Sequence, residues 1–412
     1  MFFFFSSHLS LYKRIDSMKI LHTSDWHLGI NFKGCDAEAD QRFFIRQIKD
    51  IIKAQSIDLI IIAGDIFDIS VAGAEAIRLY DEAISDICGT LKCKAAIIAG
   101  NHDGAERLAQ CRRLLADSGL YLCGSLTKEA IIIREDNAEI FLLPWISTDK
   151  VRAVYRDRAE EIDSLYKAYK IVSDDYRSRF TPGLKHIIAA HAFIVNSETS
   201  VSDRAAEVGF ASAVGADIFA GFDYAALGHI HKPQDIGTNI RYAGTPMPYS
   251  FGKEEKQEKS VTVIDTSDMS RTIIPLKLLH KRTTLKGTYD ELLAADYPED
   301  VIGGYTKLIV TDRQLGLETM SYLRDRYVHP IEISGKLMET DGARASISIE
   351  ELEAKAHDPI EIFRQFCLDN FGEEPSEHYK ELFKAAVKEA KEEDRYAGSH
   401  QCIKDLCKRH TK

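Results

Sequence analysis

The 412-residue sequence lacks any cysteine pair with the two-residue gap that zinc knuckles and redox-active disulfides use. Its eight cysteines are scattered along the chain. The closest pairs, Cys88 with Cys93 and Cys402 with Cys407, are five residues apart, which fits zinc binding and a single helix face poorly. We therefore expect reduced thiols in a cytoplasmic protein rather than a scaffold held by disulfides or zinc.

An apolar run near the ~20 residues of a membrane-spanning helix is also absent, so no membrane association is expected. Basic residues are fewer than acidic ones: the chain has 53 Lys and Arg and 64 Asp and Glu, which gives a formal net charge of -11. This balance argues against broad, nonspecific attraction to nucleic acid. It leaves room for a local basic groove, or for metal ions that meet a phosphate directly.

The amino-terminal segment does not look like an export signal. Four phenylalanines follow Met1 without a positively charged leader, and the apolar run is too short for a signal core. Met18 directly precedes the strand-like sequence 19–23. We expect Met18 to be the natural start and residues 1–17 to be a non-native or disordered extension.

Five short apolar runs each end at a group of Asp, Asn or His residues. Short, β-branched runs bounded by glycine are typical of buried strands. Helical spacing of apolar residues recurs around 39–54, 73–90, 105–117 and 150–180. This alternation predicts an α/β (α+β) layered fold, in which ligands gather at the carboxyl ends of strands.

Beyond residue 18 the pattern divides the chain into three domains. Residues 18–275 carry the motifs. Alternating helices and strands near 288–295, 306–311, 317–327 and 330–334 predict a small α+β domain over 276–345. Residues 346–412 read as a helical tail with a helix start at Asp358-Pro359. Its amphipathic helices either fold back on the chain or dock on a partner, and we favour docking.

Residues 240–265 are predicted to form strands with a turn at 244–248 between them. The charge run Lys253–Lys259 (KEEKQEK) within this stretch is typical of a solvated turn.

The residues that end the apolar runs have side chains suited to divalent metal ions. They are Asp25, His27, Asp65, Asn101, His191, His229 and His231. Asp25 and His27 flank one residue, so an extended backbone would direct both side chains the same way, and the same holds for His229 and His231. Asp65 follows a strand on a glycine-led turn, where a carboxylate can bridge two cations.

Two divalent ions roughly 3.5–4 Å apart can activate a water and clamp both oxygens of an in-line displacement at phosphorus. Donors of the Asp, Asn and His type suit Mn²⁺ as first choice and Mg²⁺ as second, while zinc or iron stays open. His102, beside a predicted ligand, could protonate the leaving oxygen or stabilise charge on the phosphate. His22 and His186, inside strands, are instead expected to be packed core residues.

These motifs resemble the calcineurin-like metallophosphoesterase superfamily over residues 18–275, and within it the bacterial SbcD family of nuclease subunits. The resemblance implies a β-sandwich flanked by helices and followed by a capping domain. It assigns His102 as the catalytic histidine and gives Asp68 only a supporting role. It also implies two metal sites that share one carboxylate: Asp25, His27, Asp65 and His231 in one, and Asp65, Asn101, His191 and His229 in the other.

The same resemblance implies partners. Members of this family form homodimers and work with an SbcC-type, SMC-like coiled-coil ATPase that binds the nuclease's carboxy-terminal helices. Such complexes trim duplex DNA ends and open hairpins, using manganese in the nuclease. The acidic balance of this chain is consistent with the ATPase supplying much of the affinity for DNA.

Other functions remain possible from the sequence. A protein phosphatase of the superfamily usually has arginine directly after the second aspartate of the Gly-Asp motif, but Ile69 follows Asp68 here. A small-substrate metallophosphodiesterase would rarely need the long region after residue 275. A non-enzymatic role would require lost ligands, and none of the expected ones is missing.

Overall fold

The structure is a computed structural model that describes residues 17–195, 197–200, 202, 213–335, 363–364, 374–375, 377 and 379–385. The chain divides into two compact units, residues 1–337 and 338–412. The predicted amino-terminal extension lies outside the described residues except for its last position. The predicted boundaries near 275 and 345 remain predictions.

The first sheet of unit one contains most of the motif strands. Its six strands, from edge to edge, are β16 (Ser270–Pro275), β15 (Ser260–Asp265), β1 (Lys19–Thr23), β4 (Leu59–Ala63), β5 (Lys94–Ile98) and β6 (Leu120–Cys123). The last four run parallel, and β15 and β16 add antiparallel strands at one edge. The unbroken apolar sequence of β4 fits its central position, since a central parallel strand is buried on both faces.

The second sheet also has six strands. They are β13 (Gln234–Ile236), β14 (Ile240–Tyr242), β12 (Tyr224–Gly228), β9 (Lys185–His191), β8 (Ala138–Leu143) and β7 (Ile131–Glu135). The four middle strands are parallel, and the two edge strands are antiparallel to their neighbours. Two short pairs complete the strands of this region: β2 (Asn31–Phe32) with β3 (Cys35–Asp36), and β10 (Phe193–Ile194) with β11 (Ala213–Val214).

The two six-stranded sheets pack face to face. Ile61 of β4 lies in one buried cluster with Ile140 of β8, whereas Ile60 and Ile62 belong to a separate cluster on the opposite face of β4. Successive side chains of a strand point to opposite faces, so β4 contributes to both layers. Burying each such side chain is worth about 1.5–3 kcal/mol. The predicted β-sandwich is therefore confirmed.

Helices cover both outer faces of the sandwich. Those of this region are α1 (Glu38–Gln55), α2 (Ala74–Ile84), α3 (Ala105–Leu108), α4 (Arg112–Ala116), α5 (Thr148–Val154) and α6 (Leu165–Arg177). Phe44 of α1 packs on the first sheet and Tyr169 of α6 on the second. The helix predicted over 105–117 is interrupted where Cys111 adopts a left-handed φ of 55°. The one predicted over 150–180 is divided by a 3₁₀ segment at Arg156–Glu161.

A third sheet follows residue 276. It contains β17 (Arg282–Gly287), β18 (Tyr305–Val310) and β19 (His329–Ser334), all parallel, with α7 (Tyr289–Ala294), α8 (Glu299–Ile302) and α9 (Leu317–Arg326). Leu292, Leu308 and Leu323 form its separate buried cluster. The predicted elements of this small module are present, and β17 and α8 were not predicted.

The chain between β14 and β15 departs from the sequence prediction. Glu254 and Lys259 are buried, at 0% and 2% exposure, so the charge run Lys253–Lys259 is not simply a solvated turn. Both charged groups have polar partners, which makes their burial tolerable.

The five cysteines among the described residues form no disulfide. No helix in the described part of the chain is both long and apolar enough to cross a bilayer.

Most of the helical tail predicted in unit two lies outside the described residues. Within it the rings of Phe363 and Phe383 stack with centroids 4.3 Å apart. Tyr379 and Leu382 are exposed.

Candidate metal centre

The predicted ligands lie at one end of the sandwich because of how the strands are ordered. In the first sheet β4 is hydrogen-bonded between β1 and β5. Asp25 follows β1, Asp65 follows β4 and Asn101 follows β5. In the second sheet β9 and β12 are neighbours in parallel, and their last residues, His191 and Gly228, are in register. The carboxyl ends of five strands therefore converge from two facing sheets.

Four of the predicted ligands have left-handed backbone. The φ angles are 52° at Asp25, 43° at His27, 49° at Asp65 and 99° at His229. The expectation that Asp25 and His27 alternate on extended backbone is therefore wrong. Positive φ in residues other than glycine is uncommon, and such conformations cluster at functional sites, where surrounding contacts hold them in place.

Glycines beside the ligands make room for this packing. A Cβ on Gly64 would lie 2.2 Å from Nδ1 of His191, and one on Gly100 would lie 2.1 Å from Oδ1 of Asp65. Real Cβ atoms do not approach other atoms this closely. The glycines of the Gly-Asp and Gly-Asn motifs are thus required for the imidazole and carboxylate to reach the centre.

Asp25, His27 and His231 form one half of the centre. A donor atom from each lies within 4.8 Å of the others, and all three are buried. Asp25 is fixed by the backbone N–H of His229, which donates to its Oδ1 at 3.0 Å. Neither ring nitrogen of His27 makes a hydrogen bond of normal geometry, although both are buried. Such a ring between carboxylates fits a position that ligates a cation.

Asn101, His191 and His229 form the other half. Oδ1 of Asn101 lies 3.0 Å from Nε2 of His191 and 3.0 Å from Nδ1 of His229. Nδ1 of His191 donates to the carbonyl of Ala63 at 2.8 Å, which leaves Nε2 to face the centre. A carbonyl partner of this kind fixes the tautomer of a ligating histidine.

Asp65 lies between the two halves. Its Oδ2 is 3.4 Å from Nε2 of His191 and 3.8 Å from Nε2 of His27. The expectation of extended backbone is also wrong at His229, which has a positive φ. His229 contacts Asn101, whereas the ring of His231 lies 5.1 Å from that of His27. The structure brings all seven predicted ligands together around Asp65, and their division between two metal sites remains a prediction.

The charges of the centre favour cations. Burial alone would raise the pKa of Asp65, but the positive charge of His191 and His27 holds it well below its usual range. Burial would lower the pKa of His191, and the carboxylate of Asp65 outweighs this and raises it. Burial, assisted by the charge of His191, lowers the pKa of His229 to about 3, so this imidazole is a neutral donor. The ionised carboxylate of Asp65 and the neutral imidazole of His229 are donors that suit a divalent ion.

Comparison with known proteins agrees with this geometry. A model of the calcineurin-like phosphoesterase family matches residues 18–233, which include every predicted site residue.

The chain belongs to the calcineurin-like phosphoesterase family. The D subunit of nuclease SbcCD from Staphylococcus epidermidis is 29% identical over 353 residues, which cover 85% of this chain and 92% of the relative. The protein of the same name from Bacillus subtilis is 34% identical over 267 residues, 60% of this chain and 66% of the relative. A third, from Staphylococcus saprophyticus, is 26% identical over 86% of this chain and 94% of the relative. The resemblance to the SbcD branch is thereby confirmed.

His102 of this phosphoesterase borders the two halves. Its Nδ1 donates to the carbonyl of Asp68 at 2.6 Å, and its backbone N–H donates to Oδ1 of Asp65 at 2.8 Å. Nε2 lies 4.0 Å from Oδ2 of Asp65, and the side chain is 10% exposed. His102 is thus oriented by Asp68, with Nε2 on the side of the ring that faces the centre.

Three residues around the phosphoesterase centre had no role predicted from the sequence. The carboxylate of Asp103 accepts backbone N–H groups from Ile66, Phe67 and Gly100 and so ties the second motif to the third. Burial, reinforced by the charge of Asp65, raises the pKa of Asp103 to about 6. The Tyr249 hydroxyl donates to the carbonyl of Trp26 at 2.6 Å, and the indole of Trp145 stacks on His229 at 5.2 Å.

Asp103 could have been found, because it is the last residue of the Gly-Asn-His-Asp motif. Trp145 and Tyr249 carry no local signal, since their roles arise only when distant segments meet. The resemblance implied a supporting role for Asp68. In the structure its Oδ1 lies 3.4 Å from Nδ1 of His27.

Proposed function

We propose that this phosphoesterase is a metal-dependent DNA nuclease subunit of the SbcD type that hydrolyses phosphodiester bonds with two divalent ions. The observation that carries the proposal is the convergence of seven donors into two groups around Asp65. The similarity to the D subunits of SbcCD nucleases along most of the chain supports DNA as the substrate class.

The residues present fit a pair of divalent ions. Asp25, His27, Asp65 and His231 would hold one, and Asp65, Asn101, His191 and His229 the other. When bound, the ions would polarise the phosphodiester and supply an activated water. Manganese is our first choice and magnesium the second, because oxygen and imidazole donors suit both.

His102 is the proposed catalytic residue. With Nδ1 donating to the Asp68 carbonyl, a protonated ring presents its Nε2–H to the centre and can pass that proton to the leaving oxygen as the phosphorus–oxygen bond breaks. The same charged ring would stabilise negative charge on the phosphate. The Asp65 contact to the His102 backbone keeps this ring beside the centre.

A manganese-dependent cleavage assay tests this function. Purified chain is incubated with Mn²⁺ and linear duplex DNA, a DNA hairpin or a chromogenic phosphodiester. We expect cleavage of DNA that EDTA abolishes, and a loss of about 10²-fold or more in His102→Ala, as for removal of a general acid. Metal content measured in parallel should be unchanged in His102→Ala, because His102 is not a proposed ligand.

Hydrolysis of the small ester without cleavage of either DNA would instead support a small-substrate metallophosphodiesterase, the second candidate. Hydrolysis of DNA that chelators do not affect would contradict the proposal. His186→Ala, a histidine that stacks on Phe180 away from the centre, is a suitable control variant.

We further propose that the chain acts in the cytoplasm as a homodimer within a heterotetramer with an SbcC-type coiled-coil ATPase. In that complex it would act as a double-strand exonuclease and a single-strand or hairpin endonuclease in DNA repair, recombination and replication. The names of its relatives and the exposed Tyr379 and Leu382 of unit two support this. Truncation before Asp358 should abolish co-purification with the ATPase, and retained co-purification would contradict the docking role.

A further inference from the structure

The segment from 249 to 259, here named the strap, crosses from the second sheet to the first beside the metal centre. It forms the second part of the connection from β14 to β15 and includes a 3₁₀ turn at Lys253–Lys256. Tyr249 at its start packs its ring 5.7 Å from that of His231. The strap is therefore in contact with a proposed ligand, although its sequence looks like a solvated turn.

Glu254 is the buried acid of the strap, with 0% exposure. One carboxylate oxygen, Oε2, accepts the backbone N–H groups of Tyr249 at 2.5 Å and Ser250 at 3.0 Å. The other, Oε1, lies 3.6 Å from Nδ1 of His231. The carboxylate is thus held by its own segment on one side and directed at the imidazole on the other.

A serine hydroxyl connects the same two groups. Oγ of Ser202 lies 2.6 Å from Nδ1 of His231 and donates its hydrogen to Oε1 of Glu254. Because that hydroxyl hydrogen is used, Oγ accepts from Nδ1 of His231, which therefore carries a hydrogen. In the tautomer that this contact selects, Nε2 holds the lone pair that a cation would bind.

Lys259, at the end of the strap, holds the backbone of the same histidine. Its buried Nζ donates to the carbonyl of His231 at 3.0 Å, to Oγ1 of Thr245 at 2.9 Å and to Oε1 of Gln257 at 3.1 Å. The ring and the carbonyl of His231 are therefore both fixed by the strap.

We propose that Glu254 is a positioning residue that fixes the tautomer and orientation of the metal ligand His231. This inference rests on the proposed function, because it takes His231 to be a ligand. A carboxylate behind a ligating histidine raises the basicity of the ligand, and its loss typically costs about 10- to 100-fold in metal affinity. The strap would thereby tune the ion held by Asp25, His27 and His231.

The next residue offers a matched control. The carboxylate of Glu255 accepts from the backbone N–H and the hydroxyl of Thr284, at 3.0 and 2.6 Å, and from the N–H of Gly252 at 2.6 Å. These contacts join the strap to β17 and do not involve His231. Glu254→Gln and Glu255→Gln therefore make the same chemical change at adjacent positions of one segment.

The test is a manganese titration of metal-free protein in competition with a fluorescent chelator, with circular dichroism and melting temperature as folding checks. We expect Glu254→Gln to bind one of the two ions about 10- to 100-fold more weakly, and Glu255→Gln to stay within about twofold of wild type. Glu254→Asp, which keeps the charge but shortens its reach, should lie between Glu254→Gln and wild type. It also provides the comparison if Glu254→Gln does not fold.

The possible results distinguish a failure of the role given to Glu254 from a failure of the proposed function. If wild type binds two ions and Glu254→Gln or Glu254→Asp binds both with wild-type affinity, the role of Glu254 is overturned and the proposed function is not. Equal weakening by Glu255→Gln would also overturn it, since the effect would then be structural. Wild type that binds no manganese would overturn the proposed function together with this inference.

Discussion

Asp65 is the residue on which both halves of the metal centre depend. It takes part in two of the candidate ligand groups and stands between His27 and His191. Its left-handed turn is possible because Gly64 precedes it and because Gly100 leaves space for its carboxylate. A single carboxylate can then reach both proposed cation positions from one strand end.

Gly100→Ala should disrupt the centre without removing a ligand. The new Cβ would meet Oδ1 of Asp65 at 2.1 Å and its backbone nitrogen at 2.4 Å, so the bridging carboxylate must move. We expect at least about a tenfold loss of manganese affinity, measured by titration. Gly89→Ala is the control, since nothing lies within 4 Å of the Cβ it would add. Equal affinity in the two variants would contradict the role given to Gly100.

His22 gives a prediction for the pH dependence of stability. Burial, aided by the charge of Arg241, lowers the pKa of this histidine to about 3. Both the folded and unfolded forms are neutral above pH ~6.5, where the contribution to stability is complete. As pH falls from there toward 3, only the unfolded form gains a proton, and stability falls by up to about 1.4 kcal/mol per pH unit.

His22→Gln should therefore show a shallower loss of stability than wild type between pH 6.5 and 5. Melting temperatures of the two proteins, measured across this range in EDTA, give the comparison. Other titrating groups are common to both proteins, and EDTA removes the contribution of bound metal. Parallel pH profiles would contradict the buried, neutral state of His22.

The strands were the elements that the sequence predicted best, because β-branched runs such as Leu59–Ala63 are apolar on both faces. His22 was correctly expected in the core, where it contacts the hydroxyl of Tyr224. The breaks within helices were not predicted, since apolar spacing continues through 105–117 while Cys111 turns left-handed.

Features that depend on distant contacts were also missed. Glu254 lies in a run of charges, and its burial depends on the N–H groups of Tyr249 and Ser250 and on the approach of His231. The positive φ angles of Asp25 and His27 could not be read from their spacing, because the backbone of Gly64 and Asp65 supplies the hydrogen bonds that hold this turn. The meeting of these residues was predictable from the sequence, but their backbone geometry was not.

Ile61→Ala tests the packing between the two sheets. Ile61 is fully buried in the cluster shared by both sheets, so its truncation leaves a cavity. We expect a loss of about 2–5 kcal/mol in the free energy of unfolding, measured with denaturant. Ile273→Ala on β16 makes the same change where the side chain is 52% exposed and should cost within about 0.5 kcal/mol. Similar losses in both variants would contradict the sandwich.

At the scale of the whole molecule, charge opposes DNA binding by this chain alone. With a net charge of -11, the chain has no overall attraction for a polyanion. We expect the isolated chain to bind linear duplex DNA at least about tenfold more weakly than the proposed complex with an SbcC-type ATPase, measured by fluorescence anisotropy at one salt concentration. Equal affinities would show that this chain supplies the DNA affinity itself.

The count of bound manganese ions tests the central claim most directly. Metal-free wild type, Asp65→Ala and Asn101→Ala are titrated with Mn²⁺ and followed by calorimetry. Two ions per wild-type chain, one in Asn101→Ala and none tightly bound in Asp65→Ala are predicted, because Asp65 lies between both donor groups and Asn101 in one. Wild type that binds fewer than two ions, or Asp65→Ala that still binds two, would contradict the shared two-metal centre.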